Sequence, residues 1–402
     1  MRFLLLSIGA VFFANQLYAA TDLTSGMTDL DSGKALSCRY IKEVLFCSDK
    51  NEQAFTGAAK KEYESGVLMV LMQFKDGKQN GSYRFYSKQA KLVEEAAYKN
   101  GLRNGLTKKY YADGSLQMQE NYSYGLLDGE KSSYYDNGKL QTIGNFVQGR
   151  LSGKLKAYNP DGKISVECDF ADGMKNGENK IFYANGGMQE YNQWKDDEKD
   201  GVEVFYYPNG NKKLEQHWIN GVLNGEKTEY FAEGNPKQIT TWTDGLQTGA
   251  FKSFYISGKL HSRGETVNGK FQGVVQVFNE AGFLEEECPW DNGKRNGTKK
   301  EYYPNGKLRL AANFENDKQN GISTAYYPNG QIKSESTFVD DKMEGITRLY
   351  YENGKLAAES SWNNGIKHGV LRQYDADGNL ILEEKYNNGE LMYKDANAYK
   401  RI

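Results

Sequence analysis

The sequence predicts an all-β fold: an elongated array of antiparallel β-hairpins that forms one twisted single-layer sheet. A glycine recurs every 24 residues from Gly57 to Gly369, which defines fourteen repeats without an insertion or deletion. Of the 44 glycines, 38 fall at three positions of the repeat, and tyrosine is abundant at 29. Aromatic residues separated by frequent turn residues are typical of β-sheet. A fixed period indicates stacked copies of one structural unit.

Each repeat predicts a hairpin, with positions counted from the leading glycine as position 0. Positions 5 and 17 are aromatic, and position 9 is glycine, in thirteen repeats each. Turns such as Pro304-Asn305-Gly306 suit a type I turn closed by a left-handed glycine. The strands cover roughly positions 1–6 and 11–17. Their pairing stays open, because a three-residue loop pairs position 5 with 11 whereas a four-residue loop pairs position 6 with 11.

Two further patterns depend on that register. Position 6 is aromatic in ten repeats, so either both faces carry aromatic side chains or position 6 lies in the turn. Position 3 is Lys or Arg in nine repeats and position 14 is Glu in seven. A four-residue loop would place these charges opposite each other. We interpret them as a self-neutralising solvated face; the alternative is a track for a charged ligand.

The first twenty residues differ from the rest. Arg2 is followed by an apolar run from Phe3 to Ala14, and Ala19 and Ala20 offer a small-residue cleavage site. This pattern is typical of a secretory signal peptide and is too short for a membrane span. We therefore expect a signal peptide over 1–20, export to the periplasm or extracellular space, and no transmembrane segment after cleavage.

The remaining boundaries follow the repeat. Residues 21–56 are assigned as a leader and a degenerate N-terminal capping hairpin, 57–389 as the repeat domain and 390–402 as a C-terminal tail, which is either a short closing strand or a frayed end. Cys38 and Cys47 flank a strand-like segment of the cap. In an oxidising compartment they are a candidate disulfide across the hairpin, at the end of the array where a cap is needed.

Catalytic and cofactor chemistry is not predicted. The three histidines (His217, His261 and His368) lie in well-separated repeats, so they cannot share a metal or catalytic site. Cys168 and Cys288 occupy the same position five repeats apart, too far for a disulfide. The net charge of -2 argues against a nucleic-acid platform. We expect a non-enzymatic protein without cofactors or metal, whose partner is a protein that the sequence does not identify.

The tryptophans suggest an alternative function. All five lie at position 17: Trp194, Trp218, Trp242, Trp290 and Trp362. We interpret this row as packing. The alternative is a set of exposed aromatic ladders that bind a cell-envelope glycan or lipid, and burial of the indoles would weaken that alternative. Three residues break the repeat pattern at apolar or aromatic positions, and a local function is expected near them: Lys212, Pro236 and Thr266.

These features resemble the MORN repeat family in its bacterial variant form over about residues 57 to 389. The matching segments are Tyr302 to Leu308, Tyr326 to Ile332, Tyr350 to Leu356, Asn292 to Gly297 and Asn100 to Gly105. Proteins of this form are often labelled YwqK-like antitoxin components, which implies binding and neutralising a toxin. Eukaryotic relatives imply scaffolding, dimerisation and membrane or phospholipid association. The resemblance carries no catalytic motif.

Overall fold

The computed structural model describes residues 22–396. The expected signal peptide and the last six residues of the tail lie outside this range. Regular structure within the described range is entirely β-strand, and consecutive long strands pair antiparallel. The described residues contain no helix long and apolar enough to cross a membrane. The predicted fold class, an all-β array of antiparallel hairpins, is confirmed.

The chain divides into two compact units between Gly186 and Gly187. The strands of the N-terminal unit are β1 Thr28–Asp29, β2 Ser37–Ile41, β3 Val44–Ser48, β4 Gly57–Glu62, β5 Leu68–Lys75, β6 Lys78–Tyr86, β7 Leu92–Lys99, β8 Leu102–Arg103, β9 Gly105–Tyr110, β10 Leu116–Ser123, β11 Leu126–Tyr134, β12 Leu140–Val147, β13 Arg150–Leu151, β14 Gly153–Tyr158, β15 Ile164–Ala171 and β16 Met174–Phe182.

The C-terminal unit continues the same alternation of strands and turns. Its strands are β17 Met188–Lys195, β18 Glu198–Tyr206, β19 Lys212–Ile219, β20 Val222–Leu223, β21 Gly225–Tyr230, β22 Pro236–Thr243, β23 Leu246–Phe254, β24 Leu260–Val267, β25 Lys270–Phe278, β26 Leu284–Asp291, β27 Lys294–Arg295, β28 Gly297–Tyr302, β29 Leu308–Glu315, β30 Lys318–Tyr326, β31 Ile332–Val339, β32 Lys342–Tyr350, β33 Leu356–Asn363, β34 Ile366–Tyr374, β35 Leu380–Asn387 and β36 Glu390–Asp395.

A bulge at position 12 determines the register of the hairpin. In the repeat that starts at Gly297, Tyr302 pairs with Leu308 and Glu301 pairs with Leu310, so Arg309 has no partner across the hairpin. Position 5 therefore pairs with position 11, as the three-residue loop requires. Beyond the bulge, position 3 pairs with position 14, as the four-residue loop requires. Both registers considered from the sequence therefore occur in one hairpin: the three-residue register next to the turn and the four-residue register beyond the bulge, because one extra residue shifts the pairing.

Position 6 lies in the turn. The backbone N–H of Tyr303 donates to the carbonyl of Lys307, and the N–H of Gly306 donates to the carbonyl of Tyr303, each at 2.8 Å. The side chain of position 6 points along the array, and its hydroxyl donates to the carbonyl of position 5 in the next repeat. This bond recurs at 2.7–2.9 Å from Tyr63, Tyr111, Tyr135, Tyr207, Tyr255, Tyr303, Tyr327 and Tyr351.

The return loop tolerates aspartate in place of glycine at position 20, as the sequence suggested. Gly293 adopts φ +81°, and Asp317 and Asp341 adopt +71° and +66°. The carboxylate of Asp341 also accepts the backbone N–H of Gln319 at 2.7 Å. The aspartates therefore offset the cost of the left-handed backbone with a bond that glycine cannot make.

Positions 2 and 15 carry the most buried side chains of the repeats. They pair across each hairpin, as Lys299 does with Ala312, and position 17 lies on the same face two residues further on. We call this the core face. At the N-terminal end it is apolar, where the capping segments pack Met27 and Leu45 against Val70, Met72 and Phe74. Positions 1, 3, 14, 16, 18 and 21 lie on the opposite face, which we call the outer face.

Candidate interaction surfaces

The residues suited to catalysis stay apart. His217 bonds the carbonyl of Glu226 at 3.0 Å, and His261 bonds the hydroxyl of Ser253 at 3.2 Å. Within residues 22–396, no group of three or more metal-ligating side chains is close enough to hold an ion. Cys288 is buried, and that burial raises the pKa of its thiol to about 11. A thiol with a raised pKa is a weak nucleophile at neutral pH.

The candidate disulfide lies in the cap. Cys38 and Cys47 are directly opposed on β2 and β3, and their sulfur atoms are 2.00 Å apart. The hairpin turns at Lys42 and Glu43, which have φ values of +48° and +66°. Both cysteines are buried, and they belong to the apolar cluster that closes the N-terminal end of the array. A bond here would join β2 to β3 within the cap.

The charged rows of the outer face neutralise each other. Arg372 at position 3 lies between Glu383 of its own repeat, at 2.9 Å, and Glu359 of the preceding repeat, at 3.1 Å. In the N-terminal unit Lys156 and Glu167 repeat the cross-hairpin contact at 3.3 Å. Exposed ion pairs of this kind contribute little stability each. Because the charges are matched locally, these rows favour the interpretation as a solvated face over a ligand track.

The tryptophan row is half-buried, and four of its five indole N–H groups donate to side chains of the same chain, whereas that of Trp290 is buried without a hydrogen-bond partner among the described residues. The indole N–H groups of Trp242 and Trp362 donate to the position 15 hydroxyls of Thr240 and Ser360, at 2.9 and 2.8 Å. The ammonium of Lys199 lies 5.0 Å from the centroid of the Trp218 ring. The chain's own polar groups thus occupy ring edges and faces that a glycan would use. This arrangement supports the packing interpretation.

A buried polar network, which the sequence analysis missed, lies beneath the row. Glu203 is 1% exposed, and it accepts hydrogen bonds from Gln216 at 2.6 Å and Trp218 at 2.9 Å. Lys199 completes the set with an ion pair. These residues occupy positions 2, 15, 17 and 22 of adjacent repeats. A carboxylate at position 2 flanked by a tryptophan at position 17 was the signal available in the sequence.

The three departures from the repeat pattern do not form a site. Thr266 is buried, and the ring of Phe271 replaces the missing aromatic at 5.2 Å from Phe251 and 5.2 Å from Trp290. Lys212 keeps its strand pairing and forms an ion pair with Glu215, three residues further along the chain. Pro236 also keeps its pairing. Each departure is thus accommodated within its own hairpin or by the adjacent one.

Exposed aliphatic side chains recur on the outer face along the return loops, interrupted by polar residues in some repeats. We call this feature the aliphatic band; it comprises positions 1, 18 and 21. In the C-terminal unit its members are between 43% and 58% exposed: Ile219, Val222, Leu246, Val267, Val274, Ile322, Val339, Ile346 and Ile366. The N-terminal unit carries a shorter band of its own: Leu102, Leu106, Leu126, Val147 and Met174. Extended apolar surface usually marks an interaction site.

Stacked antiparallel hairpins of one recurring type define the class of this protein as a β-hairpin repeat array. The family model described as MORN repeat variant matches residues 103–124, 127–148, 199–220, 295–316, 319–340, 343–364 and 367–394. These seven segments are therefore MORN variant repeats, as the sequence indicated.

Solved structures add no functional argument. Crystal structures of TcdB2-TccC3 and of TcdB2-TccC3-Cdc42 align with 91% of this chain, at 12% and 11% identity and a TM-score of 0.17 each. This chain spans only 26% and 24% of those chains. No curated protein matches the sequence.

Proposed function

We propose that this protein is an exported, non-enzymatic scaffold that binds a partner protein through the aliphatic band. The observation that carries the proposal is the exposure of nine aliphatic side chains at three positions of the C-terminal unit. The match of seven segments to the MORN repeat variant supports a binding role for the repeats. The apolar start of the sequence supports export.

The band suits a long, shallow interface. Successive repeats advance by two strands, or roughly 9.6 Å, so a partner that lies along the array meets equivalent positions at that spacing. Burying the exposed half of each would contribute about 1 kcal/mol before the cost of association is subtracted. Several repeats must therefore be engaged at once for stable binding. Neutralisation of a toxin, as in YwqK-like proteins, would be a special case of this function.

The experiment compares matched substitutions on exposed isoleucines. Ile322→Thr with Ile346→Thr removes apolar surface from the band and keeps the β-branched shape that strands favour. Ile381→Thr makes the same change at an isoleucine that is 41% exposed but lies outside the band. We expect envelope extract to yield the same specific protein with the wild type and Ile381→Thr, and much less of it with the double variant. Equal recovery with all three proteins would remove the band from the interface.

Export has a separate test. Fractionation of cells that produce the full chain should place the protein outside the cytoplasm, with an N-terminus near residue 21 by mass spectrometry. A cytoplasmic protein that retains Met1 would contradict this part of the proposal and leave the binding surface unaffected.

A further inference from the structure

The bulge residues of the C-terminal unit form a second exposed row, independent of the aliphatic band. Position 12 is charged or titratable in six consecutive repeats, and every one of these side chains is exposed: Lys213, Lys237, His261, Glu285, Arg309 and Lys333. We call this the bulge row. The same position in the N-terminal unit carries no charge: Met69, Val93, Gln117, Gln141 and Ser165. The charge at this position is thus confined to one stretch of the array.

Aromatic rings of position 6 lie beside the bulge row. The ammonium of Lys213 is 5.8 Å from the centroid of Tyr207, and that of Lys333 is 5.7 Å from Tyr327. The imidazole of His261 meets the Tyr255 ring edge-on at 4.7 Å. Hydroxyl bonds to the next repeat fix these rings. At Lys213, His261 and Lys333 a fixed aromatic ring therefore lies beside an exposed nitrogen group.

The lysines of the bulge row keep their charge available. Nearby carboxylates are already paired: Glu229 with Lys227 at 3.5 Å, and Glu301 with Arg309 at 2.6 Å. Within residues 22–396, Lys213, Lys237 and Lys333 form no ion pair. Arg309 and Glu285 also line a groove of about 440 Å³ beside Tyr303. The stretch from Lys213 to His261 is therefore the part of the row best suited to bind anionic groups.

The spacing selects one kind of ligand. Successive bulge residues are separated by two strands, roughly 9.6 Å. A polyproline-II peptide has three residues per turn and a rise of about 3.1 Å, so every third side chain returns to the same side after roughly 9.3 Å. In a β-strand, successive side chains point to opposite faces, so side chains three residues apart would point alternately towards the bulge row and away from it. Polyproline-II segments also bind grooves lined by aromatic rings.

We propose that the bulge row binds a polyproline-II segment of a partner protein that carries an acidic residue at every third position. Three acidic side chains would face Lys213, Lys237 and His261 over seven residues. Glu285 would face the next contact position and select a basic or neutral residue there. The peptide backbone would lie along the tyrosine rings, where proline and tyrosine stack.

The test is direct binding of labelled peptides to the full chain, measured by fluorescence polarisation. One peptide has the sequence EPPEPPE, and a second, EEEPPPP, has the same composition with clustered charges. We expect the first to bind at least about tenfold tighter, with the difference shrinking at high salt. Lys213→Glu with Lys237→Glu should weaken the first peptide by at least about tenfold.

Lys259→Glu is the matched control, because Lys259 is an exposed lysine in a neighbouring turn. It should bind like the wild type, and circular dichroism should show that all variants are folded. Equal affinity for the two peptides, or an unchanged affinity of the double variant, would overturn the proposal. Tighter binding of a single-stranded oligonucleotide than of EPPEPPE would also overturn it. The aliphatic-band variant should bind the peptide normally, so failure of one surface is distinguishable from failure of the other.

Discussion

Replacing the carboxylate of Glu203 should destabilise the C-terminal unit more than any exposed substitution. The carboxylate is 1% exposed and satisfies the amide of Gln216 and the indole of Trp218 while it pairs with Lys199. Glu203→Ala leaves two donors and a half-buried ammonium without an acceptor. Breaking a buried pair in this way costs about 3–5 kcal/mol.

The measurement is urea unfolding followed by tryptophan fluorescence, because Trp218 donates to the lost carboxylate and Trp194 lies beside Lys199. With an m value of about 2 kcal/mol/M, the expected cost lowers the midpoint of the transition by about 1.5–2.5 M. Glu203→Gln keeps one acceptor oxygen and removes the charge, so its free energy of unfolding should lie between those of the wild type and Glu203→Ala. A repeat array unfolds in segments, and the shift should therefore be confined to the phase that these tryptophans report.

Glu233→Ala is the control, since Glu233 is exposed in the turn of the next repeat. Its effect should stay within about 0.5 kcal/mol. If Glu203→Ala unfolds within that same margin of the control, the network contributes no net stability, and the reasoning from burial and hydrogen bonding is wrong.

Three further predictions concern stability. Tyr135→Phe removes a 2.7 Å bond to the next repeat and should cost about 0.5–1.5 kcal/mol in thermal unfolding, whereas Tyr124→Phe, exposed at 59%, should change nothing. Burial and the nearby Glu287 raise the pKa of Tyr302 to about 12. The free energy of unfolding should therefore fall as pH rises from about 10 towards 12, and it should fall less in Tyr302→Phe. The tyrosinate absorbance of Tyr302 should appear only towards the upper end of this pH range. Non-reducing peptide mapping should recover Cys38 and Cys47 in one linked fragment, and free thiols at both would disprove the bridge.

The repeat period was sufficient to predict the hairpins but not their register. A 24-residue spacing fixes how many residues separate equivalent positions, and it is the same whether or not one residue is bulged. Arg309 illustrates the difference: its extra place in the strand lets Tyr302 pair with Leu308 while Lys300 pairs with Ala311. No residue type is typical of the bulge, because position 12 carries apolar, polar and charged residues in different repeats, methionine and glutamate among them.

The core face was only partly predictable for a related reason. The aromatic residue at position 17 stands out in the sequence, whereas its buried neighbours at positions 2 and 15 do not. Position 15 is Cys168 in one repeat, Asn192 in the next and Gln216 in the one after, and all three are buried. A polar side chain is tolerated at position 15 if the residue at position 17 or a neighbour on the adjacent strand provides its hydrogen-bond partner. Polarity alone therefore does not distinguish these positions from solvated ones.

Differences in residue type between repeats can be interpreted once the backbone constraint at each position is known. Position 20 varies between glycine and aspartate because both adopt the same left-handed backbone. Position 12 faces no such limit, since a bulged residue has no partner across the hairpin. Charge at position 12 nevertheless begins at Lys213 and ends at Lys333, so packing does not explain where it starts and stops. In the C-terminal unit, the fold does not require charged side chains in the bulge row or exposed aliphatic side chains in the aliphatic band. Both features extend along the array at the spacing of its repeats.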